Sequence, residues 1–565
     1  MKAADQQGEQ GGRRSGGALA VAAGIFSSRL LGMVRESATA YVFGVGPHAD
    51  VWRTALRAPN ALQNLLGEQT LSATMIPIYS RLLAEKREED AGRFAGAMFG
   101  LLLAAVLVLV TLGVIFAPFL VALLTPGFLG DAARVAAGEM TVDRYPLLVA
   151  AVRILFPMTG VLVLSAWALG ILNSHRRFLL SYSAPVIWNV AIIGFVAVAA
   201  WRSGYLATPA AAPREALAGW LFAACWGALA GGALQFLVQV PAVLRLCRHL
   251  RPSLSLETEG VRAALAAAGP MLAGRGVVQL SLYVDAFLAS YLAAGAPAVI
   301  ALAGTVLSLP ISLFGMSVAA AELPELARQD AHQAAASIGE RIGRALRQTS
   351  FVVWPSFVGF TVFGFLVVGL LYRYGKFSLG GQILVSAVLA AYALGLLAST
   401  ASRLLQNSFY ALRDTRTPAR IAALRLAASA LAGYLLMRFC DGFEVAATFP
   451  AAAGEGLKFG AVGLGLSSSL GAWLELGLLR FALSRRLPEL TWPWSRFARL
   501  GGLALAAALP ALGLWWLLQD QKPLLLAPLV LATYAFTYGG TAFALRLPEL
   551  GYWLEHPRLA RFFRK

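Results

Sequence analysis

Charged residues are scarce in this chain, and their scarcity excludes most soluble proteins of its length. Only 13% of the 565 residues are Asp, Glu, Lys or Arg, whereas 58% are hydrophobic and the mean hydropathy is +0.68. A soluble domain normally carries about 25% charged residues. The composition therefore predicts an integral membrane protein.

Cysteines and histidines are too few and too widely spaced to form a metal site or a disulfide framework. Cys225, Cys247 and Cys440 include no CxxC pair, and the five histidines include no HExxH motif. Small apolar packing is the expected role of each cysteine. A metal-dependent transferase acting on polyprenyl phosphates would need clustered Asp and Glu on a polar loop to hold a metal, and we expect no such metal-binding loop. We therefore expect no enzyme active site, no metal and no bound cofactor.

Acidic residues are also outnumbered, because 47 Lys and Arg face 29 Asp and Glu, for a net charge of +18. Such an excess can indicate a nucleic-acid-binding protein. Here the basic residues lie in short clusters between apolar runs, without a basic domain or interleaved aromatic residues. A membrane location is sufficient to explain the excess of basic residues, so we expect membrane lipid and no nucleic acid as a partner.

Long apolar runs dominate the chain, and they predict an all-α polytopic membrane protein with about fourteen transmembrane helices. Residues 1–16 are rich in Gly, Gln and Arg and predict a disordered tail. No cleavable signal is expected, since Arg29 and Arg35 interrupt the first apolar run, which also exceeds signal-peptide length. The predicted spans are 18–45, 50–80, 95–124, 146–172, 183–202, 216–246, 263–293, 297–321, 350–372, 381–411, 418–438, 459–483, 498–518 and 523–546.

Polar residues follow one face of the second predicted span. They recur at steps of three and four, which places them on one helical stripe: Asp50, Arg53, Arg57, Asn60, Asn64 and Glu68. Arg29 and Glu36, seven residues apart, share a face of the first span. An arginine at the centre of a spanning helix costs roughly 2.5–3.5 kcal/mol on insertion scales. Because arginines outnumber carboxylates within these two helices, the stripe favours an anionic ligand, and internal ion pairs are the alternative.

A weak internal repeat relates the two halves of the chain with a period of six helices. Span 2 ends in LLGEQTLSATMIPIYSRLL and span 8 in LFGMSVAAAELPELARQ, while LNSHRRFLLSYSAP and QNSFYALRDTRTP share an Asn-Ser pair before a turn that closes on proline. The repeat predicts two lobes, 17–250 and 251–490, with a site between them, and residues 491–565 add two helices and a basic tail. Chance similarity is the alternative for motifs this short.

The second predicted lobe has polar residues of its own inside the spans. Arg275 and Gln279 lie one turn apart, and Asp285 lies about 15 Å beyond Arg275 at about 1.5 Å per residue, so an ion pair between them is not expected. Span 10 carries a further polar stripe, for which hydrogen bonding between helices is an equal alternative: Ser399, Arg403, Gln406 and Tyr410.

Seven motifs follow one another in the order found in a known family: SRLLGMVRE, FGVGPHAD, PNALQNLLGE, TPGF, ILNSHRRFLLSYSAP, YGKFS and FYALRDTRTP. In these the chain resembles the MurJ/MviN family of lipid II flippases, part of the multidrug and polysaccharide exporter superfamily. The resemblance implies fourteen helices in two lobes around a central cationic cavity, with a groove for the lipid tail formed by the last two helices.

The resemblance also implies the activity. The chain would move the undecaprenyl-pyrophosphate-linked disaccharide-peptide from the inner to the outer leaflet of the bacterial cytoplasmic membrane, by alternating access and as a monomer. Guanidinium groups bind pyrophosphate oxygens bidentately and remain charged in any environment. The alternative is an exporter of another lipid-linked oligosaccharide or of small molecules, although exporters of cationic drugs would favour carboxylates in the cavity.

Functional roles are carried over at matching positions. Arg29 and Arg35 fall on the family's two arginines of the first helix, followed by Glu36, while Asp50 falls on its loop-to-helix aspartate and Arg57 on the basic residue before Pro-Asn. The expected substrate-binding set is Arg29, Arg35, Glu36, Asp50, Arg53, Arg57, Asn60, Glu68, Arg275, Gln279 and Arg403.

The chain departs from the family pattern at two places. Gln63 and Asn64 stand where many members have an arginine pair, and Gly304 and Thr305 stand where many have Asp-Arg. We expect Arg275 to supply the missing charge of the second lobe. Asp285 is the expected site of a coupling monovalent cation, with the membrane potential as the other possible driving force.

The orientation of the chain is predicted by its basic residues. With the N-terminus inside, the cytoplasmic segments hold 30 of the 47 Lys and Arg and the outer loops hold nine, so both termini are predicted to be cytoplasmic. Cysteines introduced at 128–143 or 441–455 should react with an impermeant thiol reagent added outside, whereas cysteines at 334 or 488 should not. An inverted labelling pattern would refute the orientation.

Overall fold

The computed structural model describes residues 26–310, 334–412, 414–452, 456–486, 494–521 and 523–550. Within these ranges the secondary structure is helical, and the one β pairing is an isolated bridge between Glu444 and Lys458. The all-α prediction is confirmed.

The first part of the chain forms twelve described α-helices. They are α1 (26–43), α2 (Pro47–Leu66), α3 (Glu68–Thr74), α4 (Ile76–Ala84), α5 (Glu88–Ile115), α6 (Ala117–Leu124), α7 (Asp131–Ala136), α8 (Arg144–Ser174), α9 (Phe178–Arg202), α10 (Arg214–Leu246), α11 (Val261–Ala289) and α12 (Ala296–Pro310).

The second part forms nine more described helices. They are α13 (Ala334–Val362), α14 (Gly364–Tyr372), α15 (Leu379–Ala393), α16 (Leu396–Ala411), α17 (Arg416–Asp441), α18 (Val445–Thr448), α19 (Gly460–Ser484), α20 (Trp494–Leu517) and α21 (Pro523–Ala544).

Several of these helices are long and apolar enough to cross a membrane. Among the described residues eight qualify singly, and up to eleven if each sharply bent pair counts as one span. The polytopic architecture is therefore confirmed, while the count of fourteen stays a prediction. The predicted spans 146–172, 216–246 and 459–483 each match one helix to within a few residues.

The predicted second span is not one helix. Helix α2 ends at Leu66, and two short helices follow after breaks at Gly67 and Met75. Gly67 turns the chain out of the helix while its N–H still bonds the Gln63 carbonyl, and a Cβ there would overlap that oxygen. The continuous polar stripe from Asp50 to Glu68 is therefore wrong beyond Leu66, because Glu68 begins a separate helix.

The chain divides into two compact units. Unit 1 comprises Met1–Ala298 with Tyr374–Phe377, and unit 2 comprises Val299–Arg373 with Ser378–Lys565. Helix α11, placed by the sequence in the second lobe, packs in unit 1. Its Tyr283 hydroxyl lies 3.4 Å from the Arg57 carbonyl, and beyond its end the Ser290 hydroxyl accepts from the Gly127 amide at 3.1 Å. The packing boundary therefore lies at Ala298 rather than 250.

Helix α8 is the most buried of the membrane-crossing helices in unit 1. It packs against α2, α5 and α10, and its closest approaches use glycine. A Cβ on Gly113 of α5 would overlap the Phe156 ring of α8. Close packing through small residues is how membrane helices associate without a hydrophobic driving force between them.

In unit 2 the last two helices pack against α13. Pro355 lacks an N–H, so the Phe351 carbonyl four residues earlier has no helical donor. The Tyr538 hydroxyl of α21 donates to that carbonyl at 2.7 Å, and the Tyr534 hydroxyl donates to the Pro355 carbonyl at 3.2 Å. Two tyrosines thus satisfy the backbone around a proline in an apolar environment.

Candidate functional site

A charged cluster lies where α1 meets α2 in unit 1. It consists of Arg35, Glu36 and Arg53, and is called the basic cluster here. Arg35 Nη2 donates to Glu36 Oε1 at 2.5 Å, and Arg53 Nη1 pairs with Glu36 Oε2. Arg53 Nη2 also donates to the Thr39 hydroxyl at 3.2 Å. One carboxylate therefore holds two guanidinium groups from two helices.

Helix α9 contributes an aromatic ring to this cluster. The Arg35 guanidinium carbon lies 4.7 Å from the centroid of the Trp188 ring, a distance at which the ring attracts a cation. The indole N–H of Trp188 donates to the Ala228 carbonyl of α10 at 3.0 Å and fixes the ring. Trp188 was not expected from the sequence, in which its nearest signal is its position three residues after the SYSAP motif.

The cluster contains the ion pairs between helices that the sequence left open as an alternative, while its binding of an anion stays a prediction. Two guanidinium groups share this one carboxylate, so the three side chains together carry one net positive charge. The side chains of Glu36 and Arg53 are 7% exposed and that of Arg35 is 14% exposed. A net positive charge on side chains with so little exposed surface is suited to binding an anion.

Three other predicted residues lie on the same two helices. Arg29 is on α1 and Arg57 and Asn60 are on α2, and all three are half-buried. The side chains of Glu68 and Asn64 lie outside the described residues. So do those of Arg275 and Gln279, and with them the predicted role of Arg275.

Asp50 belongs to a different network. Its side chain is fully buried and ion-paired to Arg144, whose Nη1 donates to Asp50 Oδ2 at 3.0 Å. Arg144 also binds Asp131 through Nε at 2.6 Å and Nη2 at 3.0 Å, and its guanidinium lies 3.9 Å from the centre of the Phe128 ring. All three charged side chains are fully buried.

The Asp50 carboxylate also accepts hydrogen bonds from two backbone N–H groups. Gly295 N–H donates to Oδ2 at 2.7 Å and Ala298 N–H donates to Oδ1 at 2.9 Å, so Asp50 caps the start of α12. Both oxygens are engaged by protein groups, and the carboxylate is not available to substrate in this structure. Sequence spacing placed Asp50 with the arginines of α2 because period alone does not show which neighbour a side chain meets.

Two motifs that supported the family resemblance meet at the end of α1. Lys376 of YGKFS donates its backbone N–H to the Tyr41 carbonyl at 2.8 Å. Gly44 of FGVG has φ +61°, and a Cβ there would collide with the Lys376 backbone. The packing half-buries this loop lysine, and burial lowers the pKa of its ammonium group. The glycine is therefore required twice, by its dihedral angle and by this contact.

The polar stripe on α16 has a different character. Gln406 Nε2 donates to Glu475 Oε1 of α19 at 2.7 Å, so hydrogen bonding between helices is confirmed for this residue. Arg403 is exposed on unit 2. Thr305, on α12, donates its hydroxyl to the Ala301 carbonyl of its own helix at 2.9 Å.

Carboxylates are arranged in pairs with arginine rather than as a metal site. Among the described residues no three His, Cys, Asp or Glu side chains come together as ligands. Asp285 is half-buried on α11 and therefore lies in unit 1. In the loop before α17, hydrogen bonds from the Thr417 side chain and amide lower the pKa of Asp414 to about 2.

The fold is that of known membrane transporters. A solved structure titled "Lipid II flippase MurJ, inward closed conformation" aligns with 93% of this chain and 99% of its own, at a TM-score of 0.67 and 20% identity. An inward-facing multidrug resistance MATE family transporter of the MOP superfamily aligns with 82% of this chain and 95% of its own, at a TM-score of 0.54 and 14% identity. The chain thus has the polytopic α-helical fold of these transporters.

Sequence comparison defines the family. The model of the family "Lipid II flippase MurJ" matches residues 39–535. The lipid II flippase MurJ of Burkholderia cenocepacia is 29% identical over 487 residues, covering 85% of this chain and 86% of that protein. A probable lipid II flippase MurJ of Rhizobium tropici is 28% identical over 515 residues, covering 90% and 87%. The chain belongs to the MurJ family of lipid II flippases.

The buried network around Arg144 yields a stability prediction. Arg144→Met would leave Asp50 and Asp131 buried without a counter-charge, which typically costs about 3–5 kcal/mol. We expect a marked fall in the thermal unfolding temperature of the detergent-solubilised protein, while Arg202→Met, an exposed arginine at the end of α9, should leave it unchanged. Equal unfolding temperatures for the two variants would contradict the network's structural role.

Proposed function

We propose that the basic cluster binds the pyrophosphate of lipid II while this flippase-family transporter moves the precursor from the inner to the outer leaflet. The excess guanidinium charge at Arg35 and Arg53 carries the proposal. Family membership over residues 39–535 favours lipid II over another lipid-linked oligosaccharide or a small molecule. The protein is a transporter of the bacterial inner membrane and not an enzyme.

Glu36 has a positioning role in this proposal. By pairing with both arginines it holds guanidinium groups from α1 and α2 close together, which reduces their mutual repulsion. A pyrophosphate carries more negative charge than one carboxylate and accepts bidentate hydrogen bonds, so it can bind the guanidinium groups of both arginines. Because arginine stays protonated, binding should not depend on pH across the physiological range.

The lipid tail would stay in an apolar environment while the head group is bound. Unit 2 contains an apolar cavity of about 570 Å³ whose lining includes Trp354, Phe357, Trp473, Trp494 and Phe497. Its position beside the first residues of α20 supports the expectation that the last two helices accommodate the polyprenyl chain. Alternating movement of the two units would then expose the head group to each side in turn, in a monomer with both termini in the cytoplasm.

The test of the proposed site is transport by arginine variants. Arg29→Ala and Arg35→Ala should each abolish growth in a depletion strain without reducing membrane insertion, since removing a buried charge eases insertion. Loss of a charge-assisted hydrogen bond of about 1.5–3 kcal/mol weakens binding about 10- to 100-fold. Arg202→Ala, an exposed arginine on α9, is the matched control. Full growth with Arg35→Ala at normal membrane levels would exclude the site, and full growth with Arg29→Ala would show that Arg29 does not contribute to it.

We also propose that Asp285 binds a coupling monovalent cation. It is the single acidic residue of α11 and half-buried there, and an acidic side chain in a membrane helix is a candidate ion site. Asp285→Asn should abolish any sodium or proton dependence of lipid II transport in vesicles while precursor binding is retained. Transport with unchanged ion dependence would show that Asp285 has no coupling role.

A further inference from the structure

Unit 2 has a charged group inside its helices that the proposed function does not use. The Glu475 side chain of α19 is 2% exposed, and both of its oxygens are bonded. Oε1 accepts from Gln406 Nε2 of α16 at 2.7 Å, and Oε2 accepts from Arg425 Nη1 of α17 at 2.6 Å. One buried carboxylate thus fixes an amide and a guanidinium from two other helices.

The residues of this group lie at one depth. Arg403 is eight residues before the end of α16, Arg425 is nine residues after the start of α17, and Glu475 is nine residues before the end of α19. At about 1.5 Å per residue each lies about 12 to 14 Å inside its helix. The three helix ends meet at one loop, where Arg486 Nη2 binds Asp414 Oδ2 at 2.6 Å.

Arg403 brings a second guanidinium to this level. It lies within electrostatic range of Arg425 and Glu475 and is exposed on the surface of unit 2. Among the described residues it makes no hydrogen bond or salt bridge. Arg425, although paired with Glu475, keeps 36% of its side chain exposed.

The charges do not cancel. Arg403 and Arg425 contribute two positive charges against the one negative charge of Glu475. Two arginines at one depth of a membrane helix bundle repel each other, and a single carboxylate offsets only part of that repulsion. Glu475 holds the guanidinium group of Arg425 in place, whereas Arg403 has no bonded partner among the described residues. Such a pair of guanidinium groups is suited to a phosphate group, which accepts hydrogen bonds from both.

We propose that Arg403 and Arg425 form a second anion-binding site, in unit 2, that takes the phosphate or pyrophosphate group of an amphiphilic lipid. Arg403 and Arg425 contact the anion, and Gln406 and Glu475 are positioning residues that orient Arg425. This inference rests on the proposed function, since it supplies unit 2 with the cationic contact for the same class of substrate that the basic cluster binds in unit 1.

An ion pair with a purely structural role is the competing explanation. It accounts for Arg425 and Glu475, which would each be costly to bury alone. It does not account for Arg403, which carries a full charge at the same depth without a bonded partner among the described residues. The two explanations therefore differ most clearly at Arg403.

The binding experiment uses the purified full chain in neutral detergent with farnesyl pyrophosphate as the probe. The measurement is made in an Arg35→Ala, Arg53→Ala background, so that binding at the basic cluster does not mask the second site. We expect residual saturable binding there, weakened about tenfold or more by Arg403→Gln and by Arg425→Gln. Arg420→Gln, an exposed arginine on the same helix α17, is the control and should leave binding unchanged. Absence of residual binding, or equal binding by all three variants, would overturn the proposal.

Two further arms identify the source of the anion. Phosphatidylglycerol micelles that displace the probe as well as unlabelled farnesyl pyrophosphate does would assign the site to a phospholipid head group. Displacement by farnesyl pyrophosphate alone would assign it to the polyprenyl substrate. Phosphatidylcholine micelles should displace neither, and displacement by them would show that the probe binds through its apolar tail and would overturn the proposal.

Thermal unfolding separates binding from structure. Arg403→Gln breaks no bond and should weaken binding at an unchanged unfolding temperature. The double variant Arg425→Gln, Glu475→Gln should recover the stability that Arg425→Gln loses, because no buried carboxylate is then left without its arginine, yet it should not recover binding. Recovery of both stability and binding would show that Arg425 and Glu475 form only a structural ion pair, and it would overturn the proposal.

Failure of this inference is distinguishable from failure of the proposed function. If Arg403→Gln binds farnesyl pyrophosphate as well as Arg420→Gln does while Arg35→Ala fails to flip lipid II, the second site is refuted and the basic cluster stands. If Arg35→Ala transports normally, the proposed function at the basic cluster fails, whatever the farnesyl pyrophosphate measurements show.

Discussion

A charge inside a membrane protein must have a partner, because neither lipid nor an apolar core can replace the water it has lost. The network of Asp50, Arg144 and Asp131 meets this requirement completely. One guanidinium binds two carboxylates, and the carboxylate of Asp50 binds two backbone N–H groups at the start of α12. Residues from α2, α7, α8 and the turn before α12 are thereby fixed to one another in unit 1, and the packing of these helices depends on that arrangement.

The same requirement extends to the backbone. Pro355 leaves a carbonyl of α13 without its helical donor, and Tyr538 of α21 supplies the missing hydrogen bond. This hydroxyl satisfies the hydrogen-bonding capacity of the carbonyl. It also attaches α21 to α13. Polar contacts between helices in this protein occur mainly where a backbone or side-chain group would otherwise have none.

In two groups of described residues the arginines outnumber the carboxylate beside them. The basic cluster has two arginines around Glu36, and the group at Glu475 has Arg425 bonded and Arg403 close by. In each, a buried carboxylate positions an arginine instead of cancelling the whole charge. An excess of this kind is costly without an anion, which is why we propose both groups as sites for a phosphate-bearing ligand.

Sequence alone determined the helical class, the approximate limits of most spans and the charged residues of the first two helices, because hydropathy and helical period depend only on the order of residues. The motifs also sufficed to suggest the family. Tertiary structure decided which charges are neutralised: it separated Asp50 from Arg53, three residues away, by directing one toward Arg144 and the other toward Glu36. It also joined Asp131 to Arg144 and Gln406 to Glu475. Such pairings depend on distances between helices that are remote in sequence, and a periodic pattern within one helix contains no information about them.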